Sequence, residues 1–229
     1  MNSTDLAAAL GDLLPAALGV AISPIPIVAT VLMLLSARAR VTGPAFALGW
    51  VLGITLVLLV VLWVAGDDGL GATSSSDLTA WIKLALGVLF LLLAFRTWRT
   101  RPGPGETATP PKWMASLDKT SPPLALALGA ALSSVNPKNL ALAVSGGLAI
   151  ASNPLSTTQT VACVVVFVVV ASLLVAGPVV AFLVAGDRMA QPLGSLKGFM
   201  ETHNAAIMLV LLGVLGVSNL GKGLGGLLA

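Results

Sequence analysis

Tyrosine is absent from this chain of 229 residues, and cysteine and histidine occur once each. The one cysteine, Cys163, lies inside an apolar run. It cannot form an internal disulfide, and without a CxxC pair a thiol relay, which exchanges between two thiols, is disfavoured. No metal-ligand cluster, hydrolase triad, P-loop or dinucleotide fingerprint is visible. Those absences argue against an enzyme, against an ATPase, and against a bound metal or cofactor. Charge is scarce as well: 9% of residues are charged and 57% are hydrophobic. Soluble domains carry roughly 25% charged residues. So few charges cannot cover a water-facing surface, so lipid is the expected solvent for most of it. The apolar runs show no alternation, which excludes a β-barrel. Met1 to Asp12 holds no Lys or Arg and carries Asp5 and Asp12. That is the wrong sign for a removable signal peptide, so the first apolar run is expected to be retained.

What is present is a series of apolar runs of the length needed to cross a bilayer, roughly 20 residues. Six spans are predicted, at about Leu6–Ser36, Pro44–Ala65, Leu78–Phe95, Pro122–Ala151, Thr157–Ala185 and Ala205–Leu220. A kink is expected at Gly177-Pro178 in span five. The net charge is +3, and the basic residues fall in short loops rather than in a nucleic-acid patch. Arg38 and Arg40 follow span one. Arg96, Arg99, Arg101, Lys112 and Lys119 follow span three, and Arg188 and Lys197 follow span five. Asp67, Asp68, Asp77 and the uncharged Asn153–Thr158 loop lie on the other side, with Lys222 the one basic loop or tail residue there. The positive-inside rule then predicts both termini outside and the polar 96–121 loop in the cytoplasm.

The two halves resemble each other. Ala17-Leu18-Gly19, Ala21 and Ser23 match Ala127-Leu128-Gly129, Ala131 and Ser133 in register, and the same register aligns Pro44 with Pro154. Leu86-Gly87-Val88-Leu89 equals Leu212-Gly213-Val214-Leu215. An odd number of spans per half inverts the second half. The expected fold is therefore all-α and integral to the membrane, with six helices in two inverted three-helix repeats. Residues 1–95 form the first repeat, 96–121 a linker loop and 122–229 the second repeat.

Ser23-Pro24-Ile25-Pro26 and Asn136-Pro137-Lys138-Asn139 interrupt the first and fourth spans. Proline removes a donor and clashes with the preceding turn, so discontinuous helices are predicted at both places. Ser23 and Asn136 are N-cap types followed by proline at the first helical position. A helix start within the membrane presents open N–H groups and a positive dipole end, which attract anions. Lys138 lies about 20 Å from either surface at 1.5 Å per residue, and no Asp or Glu lies deep in any span. The blander readings are simple proline kinks and a lysine satisfied by freed carbonyls. The coincidence of all these features at one depth favours a positively biased midplane cavity. Its expected substrate-binding residues are Ser23, Pro24, Pro26, Ser133, Asn136, Pro137, Lys138 and Asn139.

Other features read as structural. Gly49-x-x-x-Gly53 lets span two pack closely, within the chain or in a homodimer. Trp63, Trp81, Trp98 and Trp113 suit interfacial anchors, and Trp50 suits a core position. His203 and Asp12 read as surface or interfacial groups.

The Ser23–Ile27 stretch, the Arg38–Gly49 segment, the Asn136–Asn139 motif and the polar central loop together resemble one family across essentially the whole chain. It is the GAP family, the glycopeptidolipid- or sulfolipid-addressing proteins of mycobacteria and related actinobacteria, within the LysE-type exporter superfamily. The resemblance implies export at the plasma membrane and glycolipid trafficking, and supports Pro24, Pro26, Asn136, Pro137, Lys138 and Asn139 as site residues. The leading expectation is an exporter or flippase for an anionic amphiphile such as a glycolipid, glycopeptidolipid or lipid-linked precursor. Its partners are then membrane lipids and that substrate, with no nucleic acid. The alternatives are an exporter of a small amino-acid-like solute and a non-transporting scaffold for a lipid-export complex.

Overall fold

A computed structural model describes residues 3–65, 76–101, 117 and 120–228. Among these the chain forms α1 (Ser3–Ala21), α2 (Pro24–Leu34), α3 (Ala39–Ala65), α4 (Ser76–Arg99), α5 (Pro122–Ser134), α6 (Pro137–Ala151), α7 (Thr157–Ala185) and α8 (Ala190–Leu228), with a 3₁₀ turn at Gly186–Met189 before α8. No strand occurs among the described residues. Asp67, Asp68, Lys112, Trp113, Lys119 and the side chain of Asp77 lie outside them.

Three helical runs are long and apolar enough to cross a bilayer: Ala39–Ala65, Leu78–Arg99 and Thr157–Leu228. The bent pair Asp5–Ala21 and Pro24–Leu34, at 49° to each other, adds a fourth if counted as one span. Apolar side chains also cover the outside. Leu56 is 60% exposed, Val184 84% and Val210 66%. In water such a surface would aggregate, whereas in lipid it is ordinary solvation. The chain is an all-helical membrane protein.

Span two begins earlier than expected, at Ala39, and span five has the expected ends. α7 is one helix through Pro178, so the proline does not end it. The sixth helix departs most from the sequence reading. It is expected to start at Ala205 but begins at Ala190. Residues 190–204 are too polar for a hydropathy reading. They stay helical because Lys197 and Glu201 pair at 3.7 Å, one turn apart, while Leu193 and Met200 are buried. His203 is exposed and stacks on Phe199 at 4.4 Å. The register that aligns Pro44 with Pro154 also fails. Pro44 lies inside α3, whereas Pro154 lies in the loop before α7, because more residues separate Ser133 from α7 than separate Ser23 from α3.

Lipid supplies no hydrophobic drive between helices, so close packing of small residues holds them together. A Cβ on Gly49 would overlap the Leu126 carbonyl, one on Gly53 the Ser133 hydroxyl, and one on Gly129 the Phe46 carbonyl. The expected Gly49-x-x-x-Gly53 contact is therefore internal, between α3 and α5. α4 and α8 meet in the same way, through Gly87 on Leu220, Gly216 on Leu91 and Gly223 on Leu84. Falling numbers on α8 meet rising numbers on α4, so this pair is antiparallel, whereas α3 and α5 are parallel. Trp50 is fully buried, and its indole Nε1–H donates to the Ala171 carbonyl at 3.4 Å. Ser145 Oγ donates to Asn219 Oδ1 at 3.1 Å and ties α6 to α8. Cys163 is buried in the core.

Candidate functional site

Both predicted breaks are real. α1 ends at Ala21 and α2 starts at Pro24, and α5 ends at Ser134 and α6 starts at Pro137. The prolines explain why neither helix continues. They also strip the new helix starts of donors. In α2, Pro24 and Pro26 have no N–H, and Ile27 N–H already reaches Ser23 O at 3.2 Å. Ile25 therefore holds the first-turn donor that lacks an intrahelical acceptor. In α6, Asn136 Oδ1 caps the Lys138 N–H at 3.1 Å, which leaves the Asn139 N–H in the same position. Each dipole end thus offers less than a bare helix start would.

Asn136 caps as expected. Ser23 occupies the N-cap position of α2 without a side-chain cap bond. Its hydroxyl is used across the bundle instead, donating to Asn139 Oδ1 at 2.7 Å and accepting from Lys138 Nζ at 2.6 Å. Asn139 Nδ2 in turn donates to the Leu132 carbonyl at 2.9 Å. That carbonyl lost its helical partner at the α5–α6 break. The two interruptions therefore meet directly: Ser23 of the first half and Lys138 and Asn139 of the second form one buried hydrogen-bonded cluster.

Lys138 is 9% exposed, Ser23 4% and Asn139 1%. The Lys138 ammonium has one further contact, Met208 Sδ of α8 at 3.7 Å, a weak acceptor. Among the described residues no carboxylate faces it. The ion pairs there are Asp12 with Lys222 and Lys197 with Glu201. The ammonium has three N–H donors, and among the described residues Ser23 is the only strong acceptor it meets. An anionic group is the natural partner for what remains.

The other expected site residues divide. Pro24 and Pro26 are buried and shape α2. Pro137 is exposed and Asn136 caps only its own helix. Ser133 is not part of the cluster. It is fully buried against Gly53, and its hydroxyl donates to Ala130 O at 2.9 Å. The repeat register suggested it as the mate of Ser23, but the second break lies one turn further along its helix. The three clustered side chains are buried, and three cavities bounded by described residues are lined by other side chains. One of them, of about 550 Å³, lies beside the cluster. It is an apolar groove between α1 and α8, lined by Leu18, Gly19, Ile22, Ile207 and Val210 among others. Ile22 precedes Ser23, and Ile207 precedes Met208. Met208 was missed in the sequence because nothing marks one methionine of an apolar span.

Replacing Ser23 by alanine is expected to cost about 1–3 kcal/mol, because an ammonium and an amide carbonyl both lose their buried partner. Thermal unfolding in detergent reads this directly. Ser134→Ala is the control. Its hydroxyl serves only the Ala130 carbonyl of its own helix, so the change is expected to be near neutral.

The fold and the site together define a multi-helix membrane protein in which two interrupted helices meet at a buried lysine that no carboxylate among the described residues pairs with. The family model for Sap, the sulfolipid-1-addressing protein, matches residues 13–225, and the chain belongs to that family. Its role is therefore a lipid-related one in a membrane. No curated protein and no solved structure matches the chain.

Proposed function

We propose that this protein is a transporter that moves an anionic amphiphile across the plasma membrane, with Lys138 and the two helix starts holding the anionic head. The observation that carries the reading is the bond of Lys138 Nζ to Ser23 Oγ at 2.6 Å, across two broken helices, with no carboxylate opposite among the described residues. A buried charge inside a membrane marks a functional site by default. The apolar groove between α1 and α8 reaches the residues next to Ser23 and Met208. It would take the tail of an amphiphile whose head reaches Lys138, and a small polar solute has no use for it.

The transporter reading includes six spans in two inverted halves. Thr157–Leu228 holds 72 residues, about 108 Å at 1.5 Å per residue. That far exceeds the roughly 30 Å hydrocarbon core. Gly186, at φ 57, interrupts the run and separates α7 from α8. α5 has 13 residues and α6 has 15, so each is too short to span alone and the pair makes one broken span. Packing supports the inversion. α3 lies on α5 as α7 lies on α1, α3 meets α6 as α7 meets α2, and α4 meets α6 as α8 meets α2. The exchange is imperfect, since the α1–α6 contact has no equal between α5 and α2. In such an architecture the halves rock about the shared site. Residues 1–95 and 122–229 are then the two repeats, 96–121 is a cytoplasmic linker, and both termini lie outside. A LysE-type exporter would have this plan.

The test is reconstitution of the purified chain into phosphatidylcholine vesicles carrying a fluorescent sulfated glycolipid, with a membrane-impermeant quencher outside. Protein-dependent loss of protection supports transport. Vesicles that keep the probe protected, while the protein is folded and inserted, would leave the scaffold reading in its place. Leu18→Trp fills the groove at a position already 48% exposed. It is expected to slow lipid movement severalfold. If it leaves the lipid rate unchanged, the tail does not run along α1 and α8.

A further inference from the structure

A second group of charges lies at the other end of α4 from Arg96 and Arg99. Lys83 of α4 and Lys222 of α8 line one cavity of about 290 Å³ with Thr79, Ala80, Ser152 and Gly226. The small-residue seam puts them there. Gly223 packs on Ala80 and Leu84, and Gly226 on Ala80, so the lysines flanking these contacts are forced to the same level. Lys222 Nζ pairs with Asp12 Oδ1 at 2.6 Å. Lys83 Nζ donates to Ser152 Oγ at 3.3 Å. Ser152 Oγ already donates to Leu148 O at 2.7 Å, so it is a neutral acceptor and compensates no charge. Both Lys222 and Asp12 exert their fields on Lys83.

Among the described residues the arrangement is out of balance. Two ammonium groups line this cavity, the described carboxylate beside them is that of Asp12 on Lys222, and among the described residues each ammonium keeps N–H donors beyond the one it uses. A structural ion pair needs no second lysine, and like charges brought together by helix packing repel. A tetrahedral oxyanion would resolve this, accepting from both ammonium groups at once. We propose that Lys83 and Lys222 form a second anion-binding site, selective for a sulfate or phosphate group, in which Asp12 holds Lys222 until the anion displaces it. The site is separate from Lys138 and does not depend on the transport reading. The sequence hid it, since Lys83 falls inside an apolar run and Lys222 reads as a tail charge.

Calorimetric titration of the purified full chain tests it. All proteins carry Lys138→Met, so that the midplane lysine contributes nothing. One arm uses inorganic sulfate and phosphate, and the other a sulfated glycolipid against its unsulfated form in the same detergent. The double variant Lys83→Gln, Lys222→Gln is expected to weaken binding about tenfold or more. Loss in both arms means that the site reads the anion alone, and loss in the lipid arm only means that it reads a lipid headgroup. Equal binding by parent and double variant in both arms overturns the proposal. Asp12→Asn carries the opposite sign and covers the case of a double variant that does not fold. It removes the internal competitor and is expected to tighten binding about two- to fivefold. A purely structural pair predicts no gain, and unchanged or weaker binding in Asp12→Asn overturns the displacement.

Discussion

Lys138→Met is expected to keep the fold at least as stable as the parent while lowering affinity for an anionic glycolipid about 10- to 100-fold. The two halves of this expectation have separate causes. Holding an ammonium inside a membrane protein costs several kcal/mol, and methionine has nearly the same shape without that cost, so such replacements are often neutral or stabilising. Ser23 loses one donor, but its own hydroxyl still donates to Asn139. Nothing is left as an unpaired charge. Charged hydrogen bonds to a ligand contribute about 1.5–3 kcal/mol each, and about 1.4 kcal/mol is tenfold in affinity. Thermal unfolding and lipid binding on the same preparation separate the roles. A variant that melts much earlier and binds normally would make Lys138 a structural lysine, and the transport reading would lose its head-group site. Lys138→Arg keeps the charge in a larger fork, and is expected to restore part of the binding.

Gly129→Ala is expected to destabilise the chain more than any other single methyl addition to α5. The added Cβ would overlap the Phe46 carbonyl and sit 2.9 Å from the Trp50 backbone nitrogen. Both obstacles are backbone, so no side chain can rotate away, and the two helices must part along a seam that also holds Gly49 and Gly53. Overpacking costs typically about 1–3 kcal/mol when side chains can shift, so the upper end or beyond is expected here. Gly213→Ala is the matched control, because a Cβ there meets nothing within 4 Å. It is expected to be neutral or slightly stabilising, since alanine favours helix over glycine by about 1 kcal/mol. Unfolding midpoints in detergent decide. Equal shifts for the two would mean that the α3–α5 contact is looser than drawn.

Lys138 was legible as a buried charge at a helix break because charge in an apolar run is rare and prolines announce a broken helix. The pairing of Ser23 with Asn139 was not legible, because it joins residues 116 positions apart in the chain. Ser133 misled for a related reason. Sequence similarity marks ancestry by register, while hydrogen bonding follows the turn of the helix on which a hydroxyl falls. The polar first third of α8 escaped because hydropathy reads the lipid-facing part of a helix and ignores what continues beyond it.

By itself the sequence determined the solvent, the helices and the places where they break. Those follow from local chemistry: the density of apolar side chains and the missing N–H of proline. Only the tertiary structure decided that the two breaks touch, that Lys138 is clasped by a serine, and that Lys83 and Lys222 share one cavity. Contacts of this kind depend on how closely helices approach. That distance is set by where glycines meet across the bundle, which no single span records.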